Sequence, residues 1–135
     1  MDDVVINKAA TIERCLARVR EEHAGDDRNL DNQTRQDAIV LNLQRACEAS
    51  IDLAMHLVRR HRLGVPQETR EAFDLLAKAG LLPAVLTGPL KQMVGFRNVA
   101  VHEYRKLDLA IVREIIATRL TDLQAYAGHA LRSFG

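Results

Sequence analysis

Residues 32–62 hold an apolar stripe that no Gly or Pro interrupts: Ile39, Val40, Leu43, Cys47, Ser50, Ile51, Ala54 and Val58. Spacings of three and four put these side chains on one side of a helix. A helix of roughly 30 residues is about 45 Å long, enough to span a domain and pack on more than one partner. Asp31 or Asn32 is a suitable cap at its start, and Gly64 and Pro66 stop it. Its end, Arg59-Arg60-His61-Arg62, places cations where the helix dipole favours them; contact with RNA phosphate is the other use such a cluster has.

The remaining segments also read as helices. Asp2 and Asp3 suit the cap of a first helix over about 4–22, with Val5, Ile12, Cys15, Leu16 and Val19 inward. The polar stretch HAGDDRNLD, residues 23–31, reads as a loop. A third helix is expected over about 68–79, ending at Gly80, and Pro83 or Pro89 fits the first turn of a fourth that runs through 90–104. Asp108 caps a fifth over about 109–134, with Ile111, Ile115, Ile116, Leu120, Leu123 and Tyr126 on its apolar side. Only 7 Gly and 3 Pro punctuate 135 residues, which suits a single all-α domain over 1–135, an up-and-down bundle of about five helices.

Composition narrows the function classes. With 19 Lys+Arg against 18 Asp+Glu, the net charge of +1 excludes a generic charge-driven coat for nucleic acid, so any nucleic-acid chemistry belongs to a local site. No apolar run reaches the length of a membrane span, and the acidic start is the reverse of a secretory signal; a cytoplasmic protein is expected. Cys15 and Cys47 form no CxxC pair and read as core thiols. The five histidines include no HExxH pattern, so neither a metal nor another cofactor is implied.

One segment breaks the amphipathic pattern. On a wheel of about 100° per residue, Leu90, Met93, Val94, Ala100 and Val101 form an apolar seam, and Arg97 falls in its middle. An Arg there must meet a carboxylate or line a cleft that needs a permanent cation. Glu48 is one such carboxylate, although an intrahelical pairing with Arg45 or with its neighbour Asp52 competes. The wheel also places Tyr104 about 20° from Arg97. Lys91, Asn98 and His102 occupy a second face, with Asn98 and His102 four apart and therefore neighbours. Arg97 and His102 diverge by about 140° on an ideal helix and converge only if the helix distorts or ends, or if a second subunit joins them. Gly95 and the break near Lys106 are places where distortion is expected.

This set suits RNA cleavage without metal. Histidine exchanges protons near neutral pH and can serve a ribose 2′-OH or a leaving oxygen. A guanidinium fork matches two phosphate oxygens as charge develops. Asn98 suits orienting the imidazole or binding phosphate. Structural alternatives remain for each residue: His102 as a polar group near a helix end, and Tyr104 as an interfacial aromatic. Asp37, Asn42, Arg45 and Glu48 intrude along the second helix without an assigned role.

Arg97-Asn98-Val99-Ala100-Val101-His102-Glu103-Tyr104 matches the RNxxxHxY form of the motif of the HEPN superfamily. The chain resembles its HepT toxin branch over nearly its full length, through INKAATIERC (6–15), AIVLNLQRACEASIDLA (38–54) and KQMVGFRNVAVHEY (91–104). The resemblance implies a HEPN-like bundle that dimerises around the motif, with two motifs sharing an interfacial cleft. It implies a ribonuclease toxin acting on tRNA or mRNA, with Arg97 and His102 catalytic and Asn98 supporting. It further implies a minimal nucleotidyltransferase antitoxin, MntA-like, that transfers AMP to Tyr104. The competing classes are a non-catalytic HEPN module that binds nucleotide or RNA, and a structural partner of the nucleotidyltransferase.

Overall fold

A computed structural model describes residues 1–135. Five α-helices follow one another: α1 (Asp3–His23), α2 (Gln33–Arg60), α3 (Glu71–Lys78), α4 (Thr87–His102) and α5 (Leu109–Phe134). Three short 3-10 turns interleave them, at Asp27–Asp31, Ala84–Leu86 and Tyr104–Lys106. α2 is the central member, packing on α1, α3, α4 and α5. A single cluster of 34 buried apolar residues runs through the bundle.

The helix boundaries follow from local chemistry. Asp2 accepts the Val4 and Val5 N–H groups and starts α1. Asn32 does the same for Arg35 and starts α2, and Asp108 for Ala110 at α5. The stretch 23–31 is not a plain loop: Asp26 accepts the Arg28 N–H and nucleates the 3-10 turn that buries Leu30. α3 begins at Glu71, later than the sequence pattern predicts: the Glu71, Ala72 and Phe73 N–H groups bond the carbonyls three residues back, at Glu68, Thr69 and Arg70, so the chain enters the helix through tighter turns. α2 ends at Arg60, and the left-handed Arg62 and Gly64 turn the chain away.

Within the Arg59–Arg62 cluster, Arg60 has a structural role. Asp2 Oδ2 accepts from His56 Nε2 at 2.7 Å and from Arg60 Nη1 at 3.0 Å, and Arg60 also donates to the Phe134 carbonyl at 2.8 Å. These bonds fasten both chain termini to the end of α2. The His56 hydrogen bond, foremost, holds the Asp2 carboxyl down at about 2.

Tyr126 shows how the core is specified. It is fully buried, its ring meets Phe73 edge-on at 5.9 Å, and its hydroxyl donates to the Ser50 carbonyl at 3.0 Å. Tyr126→Phe keeps the ring and loses that bond, so unfolding free energy should fall by about 1 kcal/mol with an unchanged denaturant slope. Urea titration of the two proteins measures it.

Candidate active site at the end of helix α4

The α2–α4 crossing positions the motif. Cys47 Sγ on α2 donates to the Met93 carbonyl on α4 at 2.8 Å, deep in the core. Burial pushes the Cys47 thiol up to about 12, against the pull of the nearby Arg97 cation. The thiol therefore anchors the crossing and is no nucleophile at neutral pH. Cys15 is likewise buried and free.

Arg97 enters this packed region without a carboxylate. No ion pair reaches it, and its Nε is buried with no hydrogen-bond partner. Glu48 does not fill that role, since Gln44 engages it along α2 at 3.0 Å; Asp52 is held by Lys8 at 3.1 Å. Arg45 lines a separate groove between α1 and α2. A permanent cation thus stands at this crossing with hydrogen-bonding capacity unspent, the condition for gripping an anion.

Asn98 is half-buried beside it, and His102 is exposed as the last residue of α4. α4 is regular to its end: the Glu103 N–H still bonds the Val99 carbonyl at 2.8 Å, so Gly95 introduces no distortion. Asn98 and His102 share a face, one turn apart, while Arg97 and His102 diverge as an ideal helix requires. A helix C-terminus repels phosphate, so any positive charge for a phosphate here comes from side chains.

Tyr104 lies elsewhere than the wheel predicts. Glu103, at φ −141° and ψ 46°, takes the chain out of the helix, and Tyr104 begins a 3-10 turn. It therefore does not stack over Arg97. Its hydroxyl donates to Asp37 Oδ1 on α2 at 2.6 Å, and Gln33 Nε2 donates to the same oxygen at 2.7 Å. Partial burial first, then Asp37, pushes the Tyr104 phenol up to about 12. Asp37 is the site residue that sequence reasoning left without a role. Its polar intrusion on α2 was the only signal, and a contact 67 positions away leaves no periodicity to read.

Two hollows flank this end of the bundle. A cavity of about 330 Å³ beside Tyr104 is lined by Gln33, Gln36, Arg105, Leu107 and Leu109. A groove of about 530 Å³ between α4 and α5 is floored by Met93, Phe96, Val99 and Ile115. Ile111 and Val101 are exposed nearby, although the pattern places them on apolar seams; no residue of this chain covers them. No three His, Cys, Asp or Glu side chains gather into a metal-ligand set.

The sequence and this fold have close counterparts. Residues 12–130 match the Ribonuclease HepT-like family. The mRNA nuclease HepT of Shewanella oneidensis is 44% identical over 126 residues, covering 93% of this chain and 95% of that one. The tri-AMPylated HEPN toxin of Shewanella oneidensis, solved in complex with MNT antitoxin, superposes with a TM-score of 0.91 at 42% identity, over 98% of this chain and 100% of that one. A toxin–antitoxin crystal structure with AMP-PNP gives a TM-score of 0.91 at 41% identity, with the same coverage.

Proposed function

Because the chain belongs to the HepT-like ribonuclease family of HEPN toxins, we propose that it is an endoribonuclease toxin whose active site forms around the end of α4. Arg97 and His102 are its catalytic residues and Asn98 supports them. The observation that carries this is the unpaired, half-buried Arg97 cation, five residues before the exposed imidazole at the end of the same helix. The ribose 2′-OH attacks the adjacent phosphorus, forming a 2′,3′-cyclic phosphate and expelling the 5′ oxygen. His102 moves a proton at one of these oxygens, and Arg97 balances charge developing on the phosphoryl oxygens. No metal is required for either role. A 2′-OH nucleophile confines the reaction to RNA, in mRNA or tRNA, which points to the cytoplasm as its place of action.

The working unit is a homodimer. Arg97 Nε is buried near Cys47 of α2 while His102 is exposed and about 140° round the helix, which supports a site completed by a second copy. Apposing two α4 ends supplies the missing half and covers Val101 and Ile111.

A minimal nucleotidyltransferase antitoxin silences the toxin by adenylylating Tyr104. The transfer replaces a hydroxyl hydrogen by an anionic phosphodiester, which cannot donate to Asp37 and is repelled by it. A solved relative is a tri-AMPylated HEPN toxin in complex with MNT antitoxin, which supports adenylylation as the silencing modification.

The test uses protein shown by intact mass to be free of AMP, incubated with mRNA and with total tRNA in excess EDTA. Cleavage giving 2′,3′-cyclic ends is the expected result. Folded, AMP-free protein that cuts neither RNA would favour the non-catalytic binding module.

A further inference from the structure

We propose that Asp37 is the proton acceptor for Tyr104 when that tyrosine takes up AMP, so that the toxin supplies the base for its own silencing. This rests on Tyr104 being the modified residue. In the transfer, Tyr104 Oη attacks the α-phosphorus of a nucleoside triphosphate held by the transferase. The new Oη–P bond forms as the bond from the α-phosphorus to its bridging oxygen breaks, and pyrophosphate leaves with that electron pair. The phenolic proton passes to Asp37 Oδ1, which later releases it to water.

Geometry meets the requirements of a base. The donor and acceptor are 2.6 Å apart, within reach for direct transfer. Asp37 is fixed on a continuous helix, and Gln33 holds the same carboxylate oxygen at 2.7 Å. Tyr104 remains 41% exposed as a residue and helps line an adjoining hollow. The adjoining cavity of about 330 Å³ leaves room for an adenylate, with the Gln33 and Gln36 amides and the Leu107 and Leu109 side chains on its walls.

A base is also needed. With its pKa pushed up to about 12, roughly one phenol in 10⁵ is ionised at pH 7. Asp37 contributes to that rise, because it favours the protonated phenol at rest. As the bond to phosphorus forms, the phenol turns strongly acidic and the same carboxylate becomes the proton's destination.

The experiment uses the full chain in complex with its cognate nucleotidyltransferase and ATP, following single-turnover AMP addition by intact mass between about pH 6 and 9. Asp37→Asn keeps an oxygen that accepts the hydroxyl hydrogen bond but cannot take the proton. Its rate at pH 7 should be about 10²–10³-fold below wild type. It should climb about tenfold per pH unit, as required when only phenolate reacts, while wild type stays nearly flat. Asp37→Ala should regain rate in added formate. Asp37→Asn at wild-type rate, or slowed with a wild-type pH profile and no formate rescue of Asp37→Ala, overturns the proposal and leaves Asp37 as a fastener of the turn. AMP that still adds to Tyr104→Phe, or none on wild type, overturns instead the reading of Tyr104 on which the proposal stands.

Discussion

Replacing His102 by alanine in AMP-free protein should lower RNA cleavage by about 10³-fold while leaving the fold unaltered. His102 is exposed at the last position of α4 and makes no internal hydrogen bond, so its loss costs within about 0.5 kcal/mol of stability. An unchanged melting temperature beside lost cleavage would therefore isolate chemistry from folding. Arg97→Lys is the companion variant. It keeps the charge but loses the planar fork that grips two phosphoryl oxygens, so cleavage should still fall by about 10²-fold. Full activity in Arg97→Lys would mean that a point charge suffices. Full activity in His102→Ala would remove the imidazole from the mechanism and return weight to a binding module. The Arg97 stem is packed at the α2–α4 crossing, so the fold of its variants is checked by the same melting curve.

The helices were legible because their signals are local. The stripe on α2, the caps Asp2 and Asn32, and Asp108 before α5 each act within four residues. So was the anomaly of Arg97, since a charge at the centre of an apolar seam stands out whatever packs against it. What failed was the continuation of α4 through Tyr104. The wheel assumes helical dihedrals, and Glu103 leaves them at a point that holds neither Gly nor Pro. Beyond that point Tyr104 makes a long-range bond to Asp37, which no period encodes. Ile111 illustrates the same limit. Val112 rather than Ile111 takes the buried position on α5, and Ile111 borders a groove left open by this chain, because apolar patterning marks a face to be covered without saying by what.

That uncovered face bears on the second large effect, recovery of activity from two dead proteins. Five residues of regular helix separate Arg97 from His102 by about 140° and about 7.5 Å along the axis. The unbroken bond from the Glu103 N–H to the Val99 carbonyl shows that the helix does not unwind to close this gap. If each active site joins Arg97 of one protomer to His102 of its partner, Arg97→Ala and His102→Ala are each inactive alone but complementary when mixed. After subunit exchange at equal amounts, about half the dimers are mixed. Each mixed dimer carries one site with both side chains intact and one with neither, so activity should return to about a quarter of wild type. Recovery should need exchange, developing at the rate at which differently tagged subunits mix and failing when each variant is cross-linked as a homodimer beforehand. If instead Arg97 and His102 of one chain serve the same phosphate, every site in the mixture lacks one of them and activity stays at the level of the single variants. A mixture that exchanges subunits yet regains nothing would thus place the whole site within one protomer, leaving the α4–α5 groove free for a different partner.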